Sequence, residues 1–75
     1  MKMVVNYIDS GEQRTLSKTV AIKVYQKLEQ NNNINKALLF AAIYRGLKNK
    51  FNVASYRDIQ KDQFRQALDF IRNWI

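Results

Sequence analysis

The chain has 75 residues, which is enough for one domain, but a chain of this length buries only about 60% of its unfolded surface. It contains no Cys and no His, which excludes disulfides, thiolate metal sites, the commonest zinc ligand and the commonest general base. Its 13 basic and 6 acidic residues give a net charge of +7, which favours a polyanionic partner, most often nucleic acid.

Residues 1–8 form a lead with scattered apolar side chains, and their pattern is that of a short strand or of the tail of a helix. A first helix is predicted to begin near Asp9 or Ser10, because Asp9 with Glu12 and Ser10 with Gln13 both have capping-box spacing. Its apolar face consists of residues that recur every four positions, namely Leu16, Val20, Val24 and Leu28. Ile22 points away from that face.

A second helix is predicted over residues 34–51. Its predicted core face consists of Phe40, Ile43, Tyr44, Leu47 and Phe51. Leu38 and Ala42 lie nearly opposite, which indicates a second buried surface or a partner. The helix is expected to end at Asn52, because Asn tolerates the left-handed conformation that closes a helix, and Val53 is then expected to fold back onto Leu47.

Residues 54–60 are predicted to form a short connection in which Ser55 and Asp58 cap one helical turn. A third helix is predicted from Lys61 to the C-terminus. Its apolar stripe consists of Phe64, Leu68, Ile71 and Ile75, widened by Ala67, Phe70 and Trp74. The sequence therefore predicts a single all-α domain over residues 1–75, with a lead (1–8) and a helical part (9–75), in which Phe64, Leu68 and Ile71 pack on the first two helices.

The residue types do not indicate an enzyme. The serines have no His to act as a base, and Asp58 and Asp62 are better explained as capping residues near a helix start than as magnesium ligands. We expect no catalytic residue, no metal site, no cofactor and no small-molecule substrate. No apolar run approaches the roughly 20 residues of a membrane span, so we expect no membrane association.

The stretch around residues 45–61 is rich in basic and aromatic side chains, which suits contacts with nucleic-acid phosphates, most readily those of duplex DNA. The predicted contact residues are Arg45, Lys48, Lys50, Tyr56, Arg57 and Lys61. Arg45 and Lys50 lie on different flanks of the helix, so that the backbone has to curve around the helix end. Tyr56 either meets a phosphate or a base, or covers the end of the core. The simpler interpretation is a solvated basic rim.

A second hypothesis is a protein-interaction module that binds a second copy of itself or another protein. Its predicted contact residues are apolar and lie outside the main stripes: Ile22, Leu38, Ala42, Phe70 and Trp74. A helix-turn-helix is disfavoured, because the connection is longer than the usual three or four residues. Nucleic-acid binding should weaken steeply with salt, whereas an apolar interface should not.

The segment "IYRGLKNKFNVASYRDIQKDQFRQALDFIRNW", residues 43–74, resembles the C-terminal domain of phage antirepressor and regulatory proteins, the family named for the C-terminal part of phage open reading frame six. "EQRTLSKTVAIKVYQKL", residues 12–28, resembles the opening helix of that family. The resemblance implies a role in phage gene regulation in the host cytoplasm, and it implies a host protein or a repressor as the other protein that an interaction module would bind. Asn52 stands where the family usually has Gly, and Gly46 stands where an acid is common, which makes the surface more positive and the helix slightly weaker.

Overall fold

The computed structural model describes residues 6–31 and 33–74. These residues form three α-helices, α1 (Ser10–Gln30), α2 (Lys36–Phe51) and α3 (Phe64–Arg72). Two 3₁₀ turns, Tyr56–Asp58 and Lys61–Gln63, lie between α2 and α3. The prediction of a small three-helix all-α domain is confirmed, while residues 1–5 of the predicted lead and Ile75 of the predicted third stripe lie outside the described residues.

The start of α1 is fixed by a capping box between Asp9 and Glu12. The Asp9 carboxylate accepts the Glu12 backbone N–H at 2.8 Å, and the Glu12 carboxylate accepts the Asp9 N–H at 2.9 Å. Two N–H groups that the helix leaves without partners are thereby satisfied. Of the two capping boxes that the sequence allows, the structure has the one at Asp9.

The start of α2 lies two residues later than predicted, because the Asn35 side chain caps it by accepting the N–H groups of Ala37 and Leu38 at 2.9 and 3.3 Å. Its end is as predicted. Asn52 has φ 55° and ψ 50°, the left-handed conformation, and the Val53 N–H donates to the Lys48 carbonyl at 3.0 Å. Val53 is half-buried against the core, as expected for the residue after such a cap.

The core is centred on different residues from those predicted for α2 and α3. Leu39, which the sequence analysis did not include, is buried together with Ile43 and Leu47. In α3 the buried residues are Ala67 and Ile71, whereas Phe64 and Leu68 are only half-buried at its edge. Leu38 and Ala42 are exposed, so the expectation that they form a second buried surface within this chain is wrong.

The direction of the chain alternates from each of the three helices to the next. α2 runs antiparallel to α1, as two contacts between these helices show. The Tyr44 hydroxyl donates to Ser17 Oγ at 3.5 Å, and towards the other end of both helices the Lys36 ammonium donates to the Tyr25 hydroxyl at 2.7 Å. α3 then runs parallel to α1 on its other side, where the Lys23 ammonium donates to the Arg72 carbonyl at 2.8 Å.

The segment before α1 is part of the fold. Tyr7 and Gln60 form an isolated antiparallel bridge, the Ile8 N–H donates to the Ile59 carbonyl at 3.0 Å, and the Lys61 N–H donates to the Asn6 carbonyl at 2.8 Å. Ile8 is 3% exposed and Ile59 is 0% exposed, so both belong to the core. Over residues 6–8 the lead is therefore neither helix nor strand, and it joins the connection through a single bridge.

Gly46 lies against α3 rather than on a free surface. A Cβ at this position would stand 2.8 Å from Cζ and 3.2 Å from Cε2 of Phe70. The absence of a side chain lets the Phe70 ring approach the backbone of α2. Gly46 is therefore also a packing position between two helices, a role that the sequence analysis did not include.

The connection after α2 begins with the predicted cap. Ser55 Oγ accepts the Arg57 N–H at 3.3 Å and starts the first 3₁₀ turn. The predicted helical start at Lys61 is instead the second 3₁₀ turn, and α-helical geometry begins at Phe64. The two turns place Ile59 between them, pointing into the core.

Candidate nucleic-acid interface

The left-handed Asn52 reverses the chain, and this brings the first 3₁₀ turn back against α2. The Tyr56 ring packs on the Tyr44 ring, with centroids 5.3 Å apart and planes tilted by 41°. The Arg57 guanidinium carbon lies 5.9 Å from the centroid of Tyr56. Since Lys48 follows Tyr44 by one helical turn, the tyrosine pair lies beside two basic side chains that are nine positions apart in sequence.

Arg45 and Lys48 stand on the outer side of α2, three residues apart and therefore on neighbouring positions of its surface. Arg45 and Arg57 are exposed and Lys48 is half-buried. Among the described residues, none of these three cations has a carboxylate within 4 Å, and the ion pairs found there all involve Lys61. We call these three residues the basic cap.

Lys50 belongs to a different surface. It follows Lys48 by two residues, which places it about 200° further around the helix. There it lines an open groove of about 520 Å³ between α2 and α3, together with Gln66, Asp69, Phe70, Asn73 and Trp74. The structure therefore places Lys50 apart from the basic cap.

Lys61 is held in an internal ionic cluster. Its ammonium donates to Glu12 Oε1 at 2.7 Å and to Asp9 Oδ2 at 3.0 Å. The hydrogen bond to Glu12, followed by the one to Asp9, raises the pKa of Lys61, and the pKa of Asp9 is lowered by the Glu12 backbone N–H and then by Lys61. The cluster ties the second 3₁₀ turn to the start of α1, so we do not retain Lys61 among the proposed phosphate contacts.

Tyr56 is half-buried and packs against the core cluster as well as on Tyr44. This position fits a tyrosine that covers the end of the core better than one that presents its face to a base. Tyr44 was assigned to the core alone in the sequence analysis. Its spacing of four residues from Lys48 was the signal that could have connected it with the basic cap.

The five residues of the alternative interaction surface lie in three places. Leu38 and Ala42 are on the outer face of α2, where Leu38 is 67% exposed. Ile22 is 58% exposed on α1, at a small hollow of about 260 Å³ that Arg72 also lines. Phe70 and Trp74 are half-buried in the α2–α3 groove. They do not form one continuous apolar patch.

Within residues 6–31 and 33–74, no group of three acidic, His or Cys side chains could hold a metal ion. No described helix is long and apolar enough to cross a membrane.

The sequence was compared with family models, curated proteins and solved structures. The model of the ORF6C domain matches residues 4–75. No curated protein and no solved structure matched the chain. The family match covers residues 4–8 of the lead segment, all three helices and the basic cap, so the resemblance inferred from the sequence is confirmed. The chain belongs to the ORF6C domain family, which is associated with phages.

Proposed function

We propose that this chain is a non-enzymatic, antirepressor-like regulatory module of a phage protein, acting in the host cytoplasm, and that it binds duplex DNA through phosphate contacts from the basic cap. The observation that carries the proposal is the packing of Tyr56 on Tyr44, which brings Arg57 to the end of α2 that carries Arg45 and Lys48. Among the described residues, none of these three cations has a carboxylate within 4 Å.

Compensation of the helix dipole accounts for only part of this charge. Lysines in the last turn of α2 are stabilised by the negative end of the helix dipole, so Lys48 and Lys50 have a role without any ligand. Arg45 lies before that last turn and Arg57 lies beyond the helix, in the 3₁₀ turn. Their exposed guanidinium groups are therefore available to a partner, and guanidinium groups match phosphate oxygens well.

Contacts of this kind are largely independent of base sequence. Phosphate contacts position a protein on DNA, whereas sequence is recognised by groups that reach the base edges. The basic cap itself consists of cations, and the exposed amide side chains of Asn49 and Asn52 stand beside it at the end of α2. We therefore propose an accessory grip on the DNA backbone rather than a sequence-recognition element.

The pair Lys48→Ala and Lys50→Ala tests the proposal with a matched control. Both changes remove one positive charge from the last turn of α2, so they alter net charge and dipole compensation alike. Lys48→Ala should weaken binding to labelled duplex and flatten the plot of log affinity against log salt by about 0.9, and Lys50→Ala should leave both nearly unchanged. Equal effects of the two variants, or no binding by the parent protein, would contradict the proposal.

The second candidate is a protein-interaction module, and the exposed Leu38 favours it. Leu38 is 67% exposed beside Ala42, on a side of α2 that no other described element covers. Under this hypothesis the chain forms a homodimer or binds a host or repressor protein. Light scattering should then give about twice the 8.9 kDa mass of one chain, and Leu38→Asp should return it to one chain. A single-chain mass for the parent would exclude the homodimer.

A further inference from the structure

The charges of this domain are unevenly distributed along the chain. Residues 13–28 and 30–57, which contain most of α1 and all of α2, include nine of the 13 basic residues and no acidic one. The acids lie near the start of α1, at its last turn and from residue 58 onwards. Asp9 and Glu12 are also occupied by Lys61. The excess positive charge therefore belongs to α1 and α2 rather than to α3.

Two stripes of the same spacing face each other across α1 and α2. Arg14, Lys18 and Tyr25 are related as i, i+4 and i+11 on α1, so they fall within about 40° of one another around the helix. On α2, Tyr44 and Lys48 follow Ala37 at i+7 and i+11, again along one line. The α1 stripe combines two basic side chains with a tyrosine, and the α2 stripe combines one basic side chain with a tyrosine.

Each stripe makes one hydrogen-bonded contact with the other helix. The Tyr25 hydroxyl accepts a hydrogen bond from the Lys36 ammonium at 2.7 Å. Two turns towards the start of α1, Ser17 accepts one from Tyr44 at 3.5 Å. Since the helices are antiparallel, the Arg14 end of α1 lies at the end of α2 that carries the basic cap.

The side of α1 that faces α3 is the opposite flank. Glu12 is bonded there to Lys61, and Lys23 is bonded there to the Arg72 carbonyl. Helix α3 therefore leaves the α1–α2 junction open, and Arg14, Lys18 and Lys36 are all exposed. On the α1 side, the position between the stripe and Ser17 is the small Ala21.

We propose that the backbone of duplex DNA lies along this α1–α2 seam, defined as Arg14, Lys18, Tyr25, Lys36, Tyr44 and Lys48. The inference rests on the proposed function and extends it from the end of α2 to a surface across two helices. Arg14, Lys18 and Lys36 donate to phosphates along the seam. The Tyr25 hydroxyl holds the Lys36 ammonium in place, and a hydroxyl partner leaves its positive charge uncompensated.

The dimensions of the seam suit one strand of a duplex. Arg14 and Tyr25 are 11 residues apart, which corresponds to about 16 Å of α-helix. At about 3.4 Å of rise per nucleotide along the duplex axis, that distance corresponds to about five base-pair steps, so the seam is long enough to contact several phosphates of one strand. Tyr44 is half-buried with the Tyr56 ring packed on it, and the Lys36 ammonium lies 4.7 Å from the ring centroid of Tyr25, so a phosphate-lined surface fits the seam better than a base-stacking one.

The test compares two double variants of the whole chain that remove equal charge. Arg14→Ala with Lys18→Ala removes two exposed cations from the seam, and Arg65→Ala with Arg72→Ala removes two exposed cations from α3. All four positions are helical, where Ala is favourable, so both proteins should fold, as checked by circular dichroism. Each is titrated with labelled duplex at several salt concentrations, alongside the parent and Lys48→Ala.

The seam variant should bind more weakly and flatten the salt slope by about 1.8, at about 0.9 for each lost phosphate contact, while the α3 variant should keep the parent slope. Equal losses in the two double variants would mean that only net charge matters, and would overturn the inference. Parent-like binding by the seam variant together with weaker binding by Lys48→Ala would overturn the seam alone. A parent protein that binds no duplex would overturn the proposed function and the seam together.

Discussion

Ile59 should be among the most costly residues to truncate, although it lies in a connection between helices. Its side chain is 0% exposed. Its carbonyl accepts the Ile8 N–H at 3.0 Å and its own N–H donates to the Tyr56 carbonyl at 3.3 Å. Ile59→Ala leaves these backbone groups in place, so the loss of stability measures the packing of the side chain between the two 3₁₀ turns.

Ile59→Ala should lower the free energy of unfolding by about 2–5 kcal/mol, because the removed methyl and methylene groups leave a cavity that the surroundings only partly fill. A domain of 75 residues is expected to have roughly 4–11 kcal/mol in total. With about 4–8 °C of melting temperature for each kcal/mol in a domain of this size, the variant should melt at least about 8 °C below the parent. Ile59→Val should cost about 0.5–1.5 kcal/mol.

The assay is urea and thermal unfolding followed by circular dichroism, with Ile22→Ala as the control. The chemical change is identical, but Ile22 is 58% exposed and loses far less packing. A similar cost for the two variants would show that Ile59 is not enclosed, and would refute the account of how the lead segment and the connection share one core.

Three further predictions concern the helix end, the α2–α3 contact and the ionic cluster. In urea titrations, Asn52→Val should cost about 1–2 kcal/mol and Asn52→Gly should be neutral or stabilising, because φ is 55°; a harmless Val would contradict this. In the Phe70→Ala background, Gly46→Ala should stabilise the domain by up to about 1 kcal/mol, and with Phe70 present it should stabilise it less, because the added Cβ meets the ring. Equal effects in the two backgrounds would contradict the 2.8 Å approach. Lys61→Met should raise the pKa of Asp9 yet leave it below 3.8, because the backbone N–H still donates to its carboxylate, as carboxyl NMR can measure. Above pH 3.8 the parent should have a larger free energy of unfolding than this variant, and the difference should decrease as the pH falls through the lower, folded-state pKa of Asp9. An unchanged Asp9 titration in the variant would contradict the cluster.

The sequence predicted local features well because their causes lie within a few residues. The capping box at Asp9 requires only Glu12, three positions later. The stop at Asn52 requires only a residue that accepts positive φ and a following apolar residue that folds back. Such signals do not depend on the positions of the other helices, and both predictions are confirmed.

The faces of α2 and α3 were predicted less well, because burial depends on how many neighbours a helix has. Phe40 and Tyr44 were predicted to lie on the core face of α2, but they lie at the edge of its contact with α1 and are half-buried. Leu39 is buried because the direction of the core is set by α1 and α3 together. Periodicity predicts an apolar arc, and tertiary packing determines which part of the arc is covered.

Long-range pairing was outside what the sequence could show. Lys61 appeared to be one of several cations in a basic stretch, but its partners are 49 and 52 positions away. Gly46 was interpreted as a weak point in a helix, but the absence of a side chain there makes room for the Phe70 ring, 24 positions further along. Lys61 belongs to an ionic cluster and Gly46 to a contact between two helices, and neither composition nor spacing indicates these roles.

The same reasoning decides how a basic stretch should be interpreted as a surface. Lys48 and Lys50 are adjacent in any charge profile, but the helix places them on opposite sides, one at the basic cap and one in the α2–α3 groove. Arg14 and Lys18, which lie about 30 positions earlier, are at the same end of the α1–α2 pair as Lys48, because the two helices are antiparallel and joined through Ser17 and Tyr44. A phosphate backbone contacts side chains that share a surface, so the candidate interface follows the contact between the two helices rather than the run of charges in the sequence.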